Sequence, residues 1–275
     1  MTEYLAVEGG RIAYEVAGEG PLVVLSHGIG DRRQTFRHLS AALVKAGYRV
    51  VSTDLRGHGD SEITFSSYKR TDTANDLLAL VRHLGSGPAV LIGQSFGAGA
   101  ATVAAADSPE DIVAIVQIGP GVRAPKIRLR DVNGRFVKGI ALLAMAALLR
   151  SLGFWRRYLD FAYPGVRMAD HDAELTALMA KMGEPGRMKV FSTMMTGSSA
   201  DSAAALARVQ VPALVIMGTM DPDFPNPRAE AEDLARVLPH GEVSLIEGAG
   251  HYPHAQYPAE TAEAVLGFLK AHAVA

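Results

Sequence analysis

Four short runs decide most of what this chain can fold into: "PLVVLSHG" (21–28), "PAVLIGQ" (88–94), "DIVAIVQIG" (111–119) and "VPALVIMG" (211–218). Each is nearly all apolar and bounded by turn residues. A strand with no polar face must be covered on both sides. The covers are at hand in stretches with helical spacing: "TFRHLSAALVKAG" (35–47), "TDTANDLLALVRHLG" (71–85), a small-residue segment from after Ser95 to about Ala106, one over about 228–238 and one from Pro258 onward. Further strands are read at "RIAYEVAG" (11–18), "YRVVSTD" (48–54) and "EVSLIEG" (242–248). This alternation predicts an α/β fold, a mostly parallel sheet with helices on both faces. A length of 275 residues suits one such domain with an insertion.

The rhythm breaks over residues 121–200. That stretch has no strand pattern, only helical patches separated at Gly153, Pro164–Gly165, Gly183 and Pro185–Gly186. A structureless loop of that length is uncommon, so an inserted helical lid (121–200) is expected between a first core segment (1–120) and a second (201–275). Seven of the ten methionines and the only tryptophan fall in it. Methionine adapts to irregular apolar partners, so Met145, Trp155 and Met194 are candidates to line a pocket for a hydrophobic small molecule. The plainer reading is that they pack lid helices together. The run "RAPKIRLRDVNGRFVK" (123–138) is strongly basic and is read as a solvated face.

Composition removes several classes. The chain has no cysteine, hence no disulfides, no thiol nucleophile and no thiolate metal ligands. A net charge of −2 supplies no global field for nucleic acid. The start "MTEYLAVEGG" lacks the marks of a signal peptide. The longest apolar run, "GIALLAMAALL" (139–149), has 11 residues, against the ~20 a bilayer span needs. No membrane insertion and a cytoplasmic location are therefore expected. Neither G-x-G-x-x-G, nor a P-loop, nor H-E-x-x-H occurs, so no cofactor and no metal is expected.

Against that background "LIGQSFGAGA" (91–100) stands out. An apolar run ends in Ser95, fenced by Gly93 and Gly97, and a small-residue helix follows at once. G-x-S-x-G between a strand and a helix is the context of a nucleophile elbow. The glycines let neighbouring backbone approach where a Cβ would clash. The turn presents the Ser95 hydroxyl at the carboxyl edge of the sheet, with the Phe96 N–H pointing into the same site.

A hydroxyl is a poor nucleophile at neutral pH and needs a base. His251, in "EGAGHYPHAQYP" just after the last predicted strand, is placed to supply it; His254 in the same loop is the rival, with a helix-starting or surface role the alternative for it. The imidazole in turn needs a carboxylate. "MGTMDPDFP" (217–225) offers Asp221, which is preferred, and Asp223; Asp54, in "DLRGHGDS", is a weaker contender. The order Ser, Asp, His along the chain suits this architecture. "SHGIGD" (26–31) follows a buried strand, and the Ile29 N–H is the expected partner of Phe96 N–H for a developing oxyanion, with His27 bracing the loop.

The set "HGIG", "DLRGHGDS", "GQSFG", "GTMDPDFP" and "GAGHYPH" resembles the α/β-hydrolase fold superfamily, in its capped, single-domain branch. The resemblance covers about 1–120 and 201–275; the second carboxylate of "DPD" departs from the usual pattern. It implies an α/β-hydrolase fold with Ser95 as nucleophile, His251 as base and Asp221 as acid. The reaction expected is cofactor-free, carboxylesterase-like hydrolysis of an ester or lactone through an acyl-enzyme. Hydrolysis of a C–C bond next to a carbonyl is the enzymatic alternative, and a ligand-sensing protein that keeps the triad is the alternative of a different class.

Overall fold

The computed structural model describes residues 1–274. Eight strands form one sheet: β1 (Glu3–Val7), β2 (Gly10–Ala17), β3 (Leu22–Ser26), β4 (Arg49–Thr53), β5 (Ala89–Gln94), β6 (Ile112–Ile118), β7 (Ala213–Gly218) and β8 (Gly241–Ile246), in the order β1-β2-β4-β3-β5-β6-β7-β8. Pairings from β4 to β8 are parallel, while β1, β2 and β4 pair antiparallel. The strand β1 had no counterpart in the sequence reading. Its "EYLAV" carries no clean apolar face, and the strand owes its place to pairing with β2 at the sheet's margin.

The apolar runs behave as their composition requires: every residue of β3, β5 and β7 is buried. Alternate residues feed two cores. Val24, Leu91, Ile115 and Val215 pack with helices α2 (Arg70–Leu84), α3 (Phe96–Asp107) and α9 (Pro227–Val237), and α1 (Arg37–Lys45) and α11 (Pro258–Ala271) cover the other face over Val23, Leu25, Val90 and Val116. Between β6 and β7 the described residues hold no strand but five helices: α4 (Gly134–Leu148), α5 (Leu152–Ala162), α6 (His171–Met182), α7 (Arg187–Met195) and α8 (Ala200–Ala205). The first four build a third apolar cluster around Trp155, Tyr158 and Phe191, which also takes in Ala255 of the short helix α10 (Pro253–Gln256) and Tyr252 just before it.

The basic stretch 123–138 is in large part the solvated face expected of it, with Lys126, Arg128, Arg130 and Lys138 exposed, but it also has fixed partners. Arg123 pairs with Glu230 (2.8 Å), Lys126 with Asp233 (3.2 Å), and Arg135 donates to the carbonyls of Met220 and Phe161. Three of its cations thus bind this stretch to α9, to the loop after β7 and to α5. The run of charges could not reveal partners 26 to 107 residues away; Arg130 is 77 % exposed.

The strand order also places the site. The chain runs from β3 outward to β4, then crosses back to β5 on the other side of β3. Loops leaving β3 and β5 therefore separate at a topological switch point, where open α/β sheets form their crevice. Those loops carry Ile29 and Ser95.

Candidate functional site

Ser95 sits between β5 and α3 with φ 50° and ψ −112°, a left-handed backbone that a non-glycine residue adopts at a cost. Neighbours hold it there: its N–H donates to Ile118 O (2.9 Å), and its carbonyl accepts from Ala98 N (3.1 Å) and Gly121 N (3.0 Å). The flanking glycines are required by contact. A Cβ on Gly93 would lie 2.3 Å from Gly97 C, and one on Gly97 would lie 2.3 Å from Ser26 O. A Cβ on Gly28 would lie 2.9 Å from Ser95 Cβ, so the β3 loop lies hard against the serine. Gly97→Ala therefore has to push apart backbone of α3 and β3 rather than a yielding side chain. The expected outcome is a stability loss at or above the top of the usual overpacking range of ~1–3 kcal/mol, read as a fall in denaturant midpoint.

His251 follows β8 in a loop whose backbone is fixed from two directions. Its N–H donates to Ala162 O (3.2 Å), and its carbonyl accepts from Gln94 Nε2 (3.2 Å). Nδ1 lies 2.9 Å from Asp221 Oδ2. A carboxylate can only accept, so the Nδ1 proton points at Asp221 and Nε2 is left facing the cavity. Asp221, in the turn after β7, is 1 % exposed, and its other oxygen accepts from Asp223 N (3.0 Å).

Asp223 is the feature the sequence left unresolved. Its Oδ2 stands 3.5 Å from His251 Nε2, and its Oδ1 accepts from Tyr158 OH (2.6 Å). The imidazole thus has a carboxylate on each nitrogen. Burial disfavours its charge, but Asp221 and Asp223 together outweigh that and raise its pKa to about 9. Burial pushes the Asp223 carboxyl up, and the Tyr158 phenol, buried beside it, is held well above its ordinary value and stays a donor. Asp221, Asp223 and His251 each present a ligand atom, all within 4.8 Å of one another. That spacing would suit a cation, but the His251 Nδ1–H is already committed to Asp221.

Ser95, His251, Ile29, Phe96, Trp155 and Met194 all border one cavity of about 130 Å3, joined by Asp223, Tyr158, Leu143, Tyr252 and Arg70. Asp221 stands behind His251, outside the lining. Met145 is misplaced in the sequence reading: it is 38 % exposed on α4, and Leu143 takes the inward position. Two residues along a helix turn the side chain by about 200°, so a methionine two positions off the inner face points to solvent. Tyr158 went unnoticed although it lies three residues after Trp155, on the same face of α5. The two rings stack 5.2 Å apart, and Trp155 Nε1 donates to Gly30 O (3.1 Å), tying α5 to the β3 loop.

The remaining candidates are structural. His254 is fully buried, stacked on Phe36 at 4.7 Å with Nε2 3.0 Å from Thr35 Oγ1; it stands in α10 but not at the surface. His27 accepts from Leu55 N through Nε2 (3.1 Å) and meets Gly28 O through Nδ1 (2.7 Å), bridging the loops after β3 and β4 as a neutral ring, since burial lowers its pKa to about 4. Asp54 is held by the guanidinium of Arg33 and accepts from the backbone N–H of Arg33 and Asp60, which orders its own loop.

Comparison with known proteins agrees with this architecture. Residues 23–264 match the Alpha/beta hydrolase family. The 2-(acetamidomethylene)succinate hydrolase of Mesorhizobium japonicum is 27% identical over 96% of this chain and 94% of its own. A 2-hydroxy-6-oxononadienedioate/2-hydroxy-6-oxononatrienedioate hydrolase of Burkholderia vietnamiensis is also 27% identical, over 94% and 91%. Among solved structures, an enol-lactonase from Burkholderia xenovorans superposes with a TM-score of 0.77 at 23% identity, over 98% of this chain and 100% of that one. At that identity the likeness concerns the fold.

Proposed function

Because the chain belongs to the alpha/beta hydrolase family, we propose that it is a cofactor-free serine hydrolase acting on a carboxylic ester or lactone through an acyl-enzyme. The observation that carries this reading is the joint placement of a strained, partly accessible Ser95 and the Asp221-bound His251 on one cavity. The helices between β6 and β7 form a cap over that cavity. The acyl carbonyl enters beside Ser95, and apolar parts of the substrate rest on Leu143, Trp155 and Met194. His251 Nε2 takes the hydroxyl proton as Oγ attacks the carbonyl carbon. The negative oxygen is received by the N–H groups of Ile29 and Phe96, donors fixed by the backbone before the reaction begins. His251 then gives the proton to the leaving oxygen. Water, deprotonated by the same ring, attacks the acyl-enzyme and frees Ser95.

Hydrolysis of a C–C bond next to a carbonyl is the second reading. It is favoured by the resemblance to the Burkholderia vietnamiensis hydrolase named for 2-hydroxy-6-oxo dienedioates, and it uses the same serine and histidine. A panel of p-nitrophenyl esters beside a vinylogous 1,5-diketone separates them: the ester reading expects turnover of the esters and none of the diketone.

The pH profile tests the assignment of His251 as base. Only the neutral ring accepts a proton, and the two carboxylates hold the ring charged. kcat/KM on p-nitrophenyl butyrate is therefore expected to rise with pH through an apparent pKa above the ordinary 6.5, toward about 9. A profile already flat from pH 6 upward would contradict it.

A further inference from the structure

Four arginines are buried among the described residues: Arg33, Arg56, Arg70 and Arg187. Three have carboxylate partners, Arg33 with Asp54, Arg56 with Asp76 and Arg187 with Glu184. Arg70 has none. It is 9 % exposed at the start of α2; Nε donates to Gly121 O (3.1 Å) and Nη1 to Ser198 O (3.0 Å), with no partner for Nη2 among the described residues. The nearest acid by influence, Asp201, spends its oxygens on Thr71 N, Thr71 Oγ1 and Ser202 N. The guanidinium also lies 4.5 Å from the centre of the Phe96 ring.

The fold makes room for this charge. A Cβ on Gly99 would lie 2.6 Å from Arg70 Cδ and Nε, so α3 carries a glycine where the side chain crosses it. Arg70 borders two cavities at once, the 130 Å3 cavity of Ser95 and His251 and a neighbouring one of about 520 Å3, which share Arg70, Phe96, Met194 and Gly197. Asp223 borders only the smaller; the larger is bordered by Lys69 and by Asp201, the acid whose oxygens are engaged by Thr71 and Ser202. Burying a cation without an anion is costly, and a planar fork with free N–H groups is suited to a carboxylate.

We propose that Arg70 is the anion-recognition group of this site, and that the substrate is an ester or lactone carrying a carboxylate at the end remote from the scissile bond. The proposal rests on the hydrolase reading for the word "substrate", but not for the binding itself. The reacting carbonyl lies at Ser95, the connecting chain passes Phe96 and Met194, and the carboxylate meets Arg70 at the mouth of the larger cavity.

Binding is tested without turnover. Adipate and dimethyl adipate are titrated against Ser95→Ala protein, following the fluorescence of Trp155, the single tryptophan, which borders the smaller cavity. The expected result is saturable binding of adipate, tighter than that of the neutral diester, and weakened about 10- to 100-fold when Arg70→Gln is added. Arg70→Lys, which keeps charge but not the fork, is expected between the two. Equal affinity for adipate and its dimethyl ester overturns the proposal, as does an affinity indifferent to Arg70→Gln. If Arg70→Gln does not fold, the diacid-to-diester comparison in the parent protein decides alone. In the active protein, the kcat/KM ratio of the p-nitrophenyl adipate hemiester to its methyl-capped counterpart is expected to exceed ~10 and to fall toward 1 in Arg70→Gln. Absence of all esterase activity with adipate binding intact would refute the hydrolase reading and leave the anion site standing.

Discussion

Ser95→Ala is expected to lower kcat on p-nitrophenyl esters by about 10^3-fold or more, with KM changed much less. In the proposed reaction the serine supplies the attacking oxygen, and no other group on the cavity can replace it: the lining holds no thiol, and Tyr158 keeps its proton through burial beside Asp223. What remains in the variant is the pair of backbone donors, which still favour the charged intermediate and leave a residual rate above water. In the proposed binding mode the substrate's apolar contacts are spread over Leu143, Trp155 and Met194, which border the cavity, so the loss is expected to fall on kcat. The fold is expected to survive, because among the described residues Ser95 Oγ makes no hydrogen bond, whereas its backbone N–H and carbonyl are bonded to Ile118, Ala98 and Gly121. Equal rates in parent and variant, with melting unchanged, would remove Ser95 as nucleophile.

The second large effect separates the two carboxylates. Asp221→Asn replaces the acceptor 2.9 Å from His251 Nδ1. An amide there can present its N–H, which favours the tautomer with the proton on the wrong nitrogen. A fall of about 10^3- to 10^4-fold in kcat is expected. Asp223→Asn removes a charge 3.5 Å from Nε2 without disturbing the Nδ1 bond. Its expected signature is different: activity within about tenfold of the parent at high pH, and a rising limb displaced to lower pH, because one of the two groups raising the histidine pKa is gone. Losing Tyr158's hydroxyl, as in Tyr158→Phe, removes a hydrogen bond that favours the charged form of Asp223, so the limb is expected to move in the same direction as in Asp223→Asn, by a smaller amount. If Asp223→Asn gave the 10^3-fold loss and Asp221→Asn the shifted limb, the roles would be reversed.

The apolar strands were legible because a strand buried on both faces has no choice of register to hide. Ser95 was legible because its two flanking glycines answer to contacts within a few residues and the strand beneath. The α5 and α7 positions Trp155 and Met194 were found by residue type, and Met145 was lost by the same reasoning: type says which residues want an apolar partner, not which face of α4 meets it. Asp223 shows the limit most sharply. Its two neighbours, Tyr158 and His251, lie 65 and 28 residues away, and only the packing of α5 against the loop after β7 brings them together. Arg70, just ahead of the helix read over 71–85, was not singled out, since nothing near it in the chain records that the acid nearest to it, Asp201, is bonded to Thr71 and Ser202. The strand β1 was missed because its edge position, not its own pattern, makes it a strand.

The most direct measurement is covalent. A fluorophosphonate transfers its phosphonyl group only to a serine whose proton is removed by a neighbouring base. Treated with such a probe and mapped by mass spectrometry, folded protein is expected to carry one adduct, on Ser95, formed faster as the pH rises toward 9 and absent in Ser95→Ala. Folded protein that stays unlabelled at Ser95, or carries its adduct on another serine, would contradict the account.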